Sequence, residues 1–309
     1  IIVGYTSLSG MFGLAVTDMV QFVIMSIAAG VLCVGMFTHF DGFAPIFEQA
    51  HAINPNLTSP SGGLSGMEML SWAIGAVAMY ANSQSYQRFG SSKSGGDIKV
   101  SYSCIMLFSV AFSTIMVLAG MAALVQYPEV AAESPSQAFW AIVFETLPIG
   151  LRGLFVAALL SAVMSTVSAD YLIAGAVVVH DIYRGFINKN LTDKGEVVAT
   201  KVVIAAIGII IIFATYFWQD GISKAYYYIG GFQVAAFFVP LMFGLFYKKK
   251  TAAAGFWSLL LAIVMYMVWQ FILQCPAGIP TNLACIIFSI VVYVVIAKAT
   301  YKENAQLSA

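Results

Sequence analysis

Apolar runs as long as a lipid bilayer is thick recur along this chain, separated by short polar breaks, and that pattern decides most of what it can fold into. Of its 309 residues, 61% are hydrophobic and only 9% are charged. A soluble domain carries about a quarter charged residues. The sequence therefore reads as an all-α integral membrane protein, with residues 1–309 forming a single polytopic membrane domain. Basic and acidic residues balance at 14 each, and no basic patch points to nucleic acid. Ile1 opens the chain almost inside an apolar run, without a basic leader or cleavage site, so a preceding N-terminal part is expected.

A helix needs about 20 apolar residues to cross the hydrocarbon core. Eight segments meet this, at residues 8–37, 67–85, 101–126, 151–181, 200–218, 225–247, 252–274 and 282–300. Twelve of the 14 Lys and Arg then fall on one side; only Arg152 and Lys224 fall on the other. The positive-inside rule makes the crowded side cytoplasmic, together with the C-terminus. The long loop 38–66 is placed outside, where its FAPIF piece suits the interface, and so is YPEVAAESPSQAFW. Cys33, Cys104, Cys275 and Cys285 form no CxxC pair and read as helix-packing residues, although Cys275 and Cys285 flank one loop and could pair.

Two carboxylates fall deep within spans, Asp18 and Asp170. A mid-membrane carboxylate costs about 2.5–3.5 kcal/mol on the insertion scale, so each is a functional candidate. Asp181, in HDIYRG, lies at the cytoplasmic boundary. Around Asp170, the stretch LSAVMSTVSADY gathers Ser161, Ser165, Thr166 and Ser168. On a helix the hydroxyls of Ser165 and Thr166 reach back to the carbonyl of Ala162. Ser168 and Asp170 continue the stripe at i+3 and i+4. Ala157, Ala158, Ala162, Ala169, Ala174 and Gly175 admit a close neighbouring helix. Neutral oxygens near an acid suit a hard, weakly held cation. The plainer alternative is that the hydroxyls only bond back to their own helix. Asp18, with Thr17 beside it and Gln21 one turn on, reads either as a site acid or as a structural one. The amides and phenols of YANSQSYQRFGSSKSGG suit a helix broken to line a cavity, or a polar helix exit.

Several of these segments resemble the sodium:solute symporters, the family of the sodium/proline and sodium/sugar carriers. SAVMSTVS with HDIYRGF is similar to the family's eighth core helix, LAVTDMVQ to its fifth, and YANSQSYQRFGSSKS to its sixth. GGFQVAAFFVPLMFGLFYKKKTAAAG is similar to its tenth. The resemblance spans nearly the whole chain. It implies the inverted-repeat (LeuT-type) fold, present in part as core helices five to ten plus two C-terminal helices. Core helices one to four, including the broken first helix, would lie outside this sequence.

The resemblance further implies that the Ala162 carbonyl, Ser165 and Thr166 form the helix-eight half of a sodium site. A second cation site in some members uses the equivalents of Asp18, Ser165 and Ser168 with one more hydroxyl. That last position is Ala169 here, and the neighbouring Asp170 is outside the family pattern. Asp170 could replace the absent ligand, take a proton, or pair with another helix, so Asp18, Ser168 and Asp170 form the second candidate set. Tyr80, Asn82, Gln84 and Tyr227 occupy positions facing the solute pocket.

The implied function is sodium-coupled symport of a small organic solute in the plasma (inner) membrane, with sodium as coupling ion, lipid as surroundings and no other cofactor. A proton-coupled carrier and a symporter-like sensor are the alternatives. An intramembrane protease built on GLSG, with Ser65 as nucleophile, is disfavoured because His180 lies on the opposite side and His39 and His51 share only a flexible loop.

Overall fold

A computed structural model describes residues 2–78, 83–217 and 222–301, apart from the side chains of 7–11, 83, 87–88, 91 and 222–228. Among them the long elements are all helices, in the order α1 (Ile2–His39), α2 (Ala44–Ile53), α3 (Gly66–Ala78), α4 (Ser83–Ser91), α5 (Gly95–Gln126), α6 (Pro128–Glu133), α7 (Pro135–Thr146), α8 (Ile149–Ala176), α9 (Asp193–Phe217), α10 (Ile222–Phe246), α11 (Ala252–Met267) and α12 (Thr281–Thr300). Seven of the described helices are long and apolar enough to cross a membrane. They coincide with seven of the eight expected spans.

The segment expected at 67–85 is described only in part. Its first described part, α3, is an apolar helix of 13 residues, and residues 79–82, which follow it, lie outside the described residues. Ser65 starts α3: its N–H and its Oγ both donate to Glu68 Oε2, at 2.8 and 2.7 Å, and the Glu68 N–H donates to Ser65 Oγ at 3.3 Å. This reciprocal capping box gives Ser65 a local structural task. Ser94 caps α5 in the same manner through Asp97, at 3.2 Å to its N–H and 2.9 Å to its carboxylate.

Contacts divide the chain into two compact units, residues 1–63 with 88–217, and residues 64–87 with 218–309. In the first, α1 packs along α8 and also touches α5, α7 and α9. Its core joins Leu32 and Met36 of α1, Ile46 and Ala50 of α2, Leu118 and Ala122 of α5, Ile142 and Val143 of α7, and Phe155 of α8. The FAPIF piece is thus not merely interfacial: its helix buries Ile46 completely. Tyr127, between α5 and α6, donates to Glu145 of α7, a bond that holds its phenol above the usual tyrosine range. By contrast α9 buries only Ile204 and Gly208 and leaves Ile209–Phe213 exposed, as a lipid-facing helix does.

In the second unit, Ala254, Ser258 and Ala262 recur every fourth residue on α11, all fully buried, and α12 packs against that helix. The Ser289 hydroxyl donates to the Ser258 carbonyl at 3.4 Å. All four cysteines are free thiols, and Cys285 is fully buried beside Ala235 and Tyr266.

Candidate cation and solute site

The oxygen-rich stretch lies in the middle of α8. There is no proline between Ile149 and Ala176, so the ladder is continuous and places one residue every 100° around the axis. Ser161, Ser165 and Ser168, spaced i, i+4 and i+7, share one face; Ser161 and Ser168 are buried and Ser165 is half-buried. Thr166 and Asp170, spaced i and i+4, share another face, and both are exposed. The expected single stripe is therefore two.

The Ala162 carbonyl joins them. It accepts the Ser165 hydroxyl at 3.1 Å and the Thr166 hydroxyl at 3.2 Å. Ser168 donates in turn to the Ser165 carbonyl at 3.2 Å. Each hydroxyl has one proton and two lone pairs, so donating inward leaves its oxygen free to accept or to ligate. Three oxygens, one carbonyl and two hydroxyls, thus converge within one turn without any counter-charge of their own.

Asp18 is half-buried on α1, the helix that packs along α8. Thr17 turns its hydroxyl back to the Leu14 carbonyl at 2.9 Å. Two more α1 oxygens, Thr6 Oγ1 and Gln21 Oε1, are buried with no hydrogen-bond partner among the described residues. An unsatisfied buried oxygen costs about 1–3 kcal/mol, so each marks a place suited to water, an ion or another donor. Gln21 stood out in the sequence beside Asp18. Thr6 did not, although YTS interrupting the first apolar run was a usable signal.

A second cluster went unread in the sequence. Beyond Ala176 the chain continues to Ile187 in wider turns closed by i to i+5 bonds, as between Tyr183 and Asn188 at 2.8 Å. This extension carries His180 and Arg184 to the start of α9. The ring of His180 lies 2.7 Å from Glu196 Oε1, and Arg184 pairs with Glu196 and, at 3.7 Å, with Asp193. Arg184, Glu196, Thr200 and Lys201 line an open cavity of about 430 Å³ that also reaches Thr6. Asp181, the expected boundary residue, is exposed.

Of the expected solute-facing residues, Gln84 is half-buried at the start of α4, in the second unit. Tyr80 and Asn82 lie outside the described residues, as does the side chain of Tyr227 on α10.

The sodium:solute symporter family model matches residues 1–262. The chain belongs to the sodium:solute symporter family. It is 25% identical over 275 residues to the osmoregulated proline transporter OpuE of Bacillus subtilis, covering 87% of this chain and 55% of that protein. It is likewise 25% identical over 282 residues to the sodium/proline symporter of Haemophilus influenzae, again 87% and 55%. To the sodium/pantothenate symporter of Escherichia coli it is 23% identical over 278 residues, 85% of this chain and 55% of that one. The chain spans about half the length of these relatives. Family membership and seven apolar helices together make it an integral, multi-pass membrane protein.

Proposed function

We propose that this protein couples the inward movement of sodium to the uptake of a small organic solute by alternating access. One observation carries the reading: Ser165 and Thr166 both turn their hydroxyls onto the Ala162 carbonyl, forming a compact, uncharged oxygen cluster halfway along a membrane helix. Oxygen ligands of this type suit a hard cation. In this account Ala162, Ser165 and Thr166 hold the coupling sodium. The opposite wall comes from family core helices outside this sequence, since 1–309 corresponds to core helices five to ten and two further helices in one membrane domain.

A second cation would draw on Asp18, Ser168 and Asp170. Asp170, on the exposed face with Thr166, would replace the absent hydroxyl ligand, take a proton or pair with another helix. Gln84, with Tyr80, Asn82 and Tyr227, is proposed to face the solute. The named substrates of the relatives, proline and pantothenate, set the first solutes to try. The protein is assigned to the plasma membrane by analogy with a solute-uptake role, and its C-terminus to the cytoplasm on the strength of the charge bias. No catalytic step is assigned, and Ser65 serves as a helix cap.

A membrane potential of 100 mV supplies about 2.3 kcal/mol for each charge moved inward, before any concentration gradient. Releasing sodium to a low-sodium cytoplasm would favour the inward-open state through its lower ion affinity. The test is uptake of labelled proline, pantothenate and a hexose into proteoliposomes holding the full-length protein. Uptake of one solute that needs an inward sodium gradient, and stops when potassium replaces sodium, is expected. Uptake driven equally well by a proton gradient in the absence of sodium would overturn sodium coupling.

A further inference from the structure

At the end of α10 the chain makes a tight turn, Tyr247–Lys250, before α11 begins. Three consecutive lysines, Lys248, Lys249 and Lys250, occupy it and are all exposed. The turn is held on each side. The Tyr247 N–H closes α10 on the Phe243 carbonyl at 2.9 Å, and its ring packs against Phe243 and Tyr293. After the lysines, Thr251 accepts the Ala254 N–H at 3.2 Å, capping α11, while its hydroxyl meets that of Thr300 at 2.9 Å. Tyr301 follows, with Lys249 Nζ 5.9 Å from the centre of its ring.

Together Tyr247, the three lysines and Tyr301 line an open pocket of about 760 Å³, with Leu245 and Phe246 at its edge. No carboxylate lines this pocket, and none pairs with the three lysines among the described residues. Leu245 and Phe246, immediately before the turn, are exposed and apolar.

We infer that this turn is a binding site for the headgroup of an anionic glycerophospholipid. The lysines face the phosphate, and Leu245 and Phe246 lie against the upper acyl chains. The arrangement meets both demands of such a ligand at one place: positive charge that no carboxylate among the described residues pairs, held on a fixed backbone, and exposed hydrocarbon one residue away on a membrane helix. Polybasic segments beside a membrane helix attract anionic lipid in proportion to their charge. The side on which 12 of the 14 basic residues fall is also the side of this turn.

The test is native mass spectrometry of the full-length protein from mixed micelles of phosphatidylglycerol and phosphatidylcholine. Wild type should retain phosphatidylglycerol over phosphatidylcholine by about tenfold or more. The triple change of Lys248, Lys249 and Lys250 to Gln should remove that preference, and the triple change to Arg should keep it. An unaltered preference in the Gln variant, or its equal loss in the Arg variant, overturns the assignment. So does displacement of the bound lipid by millimolar inorganic phosphate, which would mark a site for free phosphate instead.

Discussion

The phenol of Tyr5 donates a hydrogen bond to the backbone carbonyl of Met164, 159 positions later, at 3.2 Å. This bond fixes the start of α1 against α8 one residue before Ser165. A neutral hydrogen bond of this kind contributes about 0.5–1.5 kcal/mol net. Tyr5→Phe should therefore lower thermal stability by that amount while leaving helix content by circular dichroism unchanged. No change in Tm would show that other α1–α8 contacts set the packing.

Gly175, near the C-terminal end of α8, lies close against α9. A methyl group there would meet Ile204 Cγ1 at 2.9 Å and Thr200 Cγ2 at 3.0 Å, both on branched side chains with little room to move. Gly175→Ala should destabilise the protein by about 1–3 kcal/mol. Gly153, on the same helix with nothing within 4 Å, is the control: Gly153→Ala should be neutral or slightly stabilising. Equal effects at the two sites would contradict the close approach.

The charge cluster at the start of α9 depends on Glu196, which serves both His180 and Arg184. The partners are partly exposed, so Glu196→Gln should lower Tm only slightly. The loss should shrink further in high salt, as expected for screened charges. A larger loss that ignores salt would indicate that Glu196 acts through packing instead.

The proposed division of the cation site makes its own forecast. The 309 residues expressed alone should insert into membranes yet show no sodium-dependent solute uptake, because the proposal draws the opposite wall of the site from core helices outside them. Sodium-driven uptake by this chain alone would contradict the mapping of core helices.

Much of this architecture was legible because lipid imposes a length. Seven apolar runs became seven helices with ends within several residues of those expected. The segment 67–85 is described only in part, with residues 79–82 outside the described residues. The extension of α8 to Ile187 was hidden, because wider turns leave no mark on hydropathy.

At the site, helical spacing correctly put Ser165 and Thr166 on the Ala162 carbonyl, a relation local to one turn. It did not show which face of α8 would be buried. That is decided by α1, which arrives from far away in the sequence. For that reason Thr166 and Asp170 stand apart from Ser161 and Ser168. Glu196 was missed for the same reason, since its partners come from another helix.

The central claim, a sodium site at Ala162, Ser165 and Thr166, is tested most directly without any solute. Thermal unfolding of the full-length protein would be compared in sodium and potassium at equal ionic strength, for wild type, Thr166→Ala and Thr166→Ser. An ion that binds only the folded state, at 100 times its dissociation constant, stabilises by about 2.7 kcal/mol. The account predicts a sodium-specific rise in Tm for wild type, its loss in Thr166→Ala, and its retention in Thr166→Ser, which keeps the hydroxyl. Identical unfolding in both salts, or a sodium effect that survives Thr166→Ala undiminished, would contradict it.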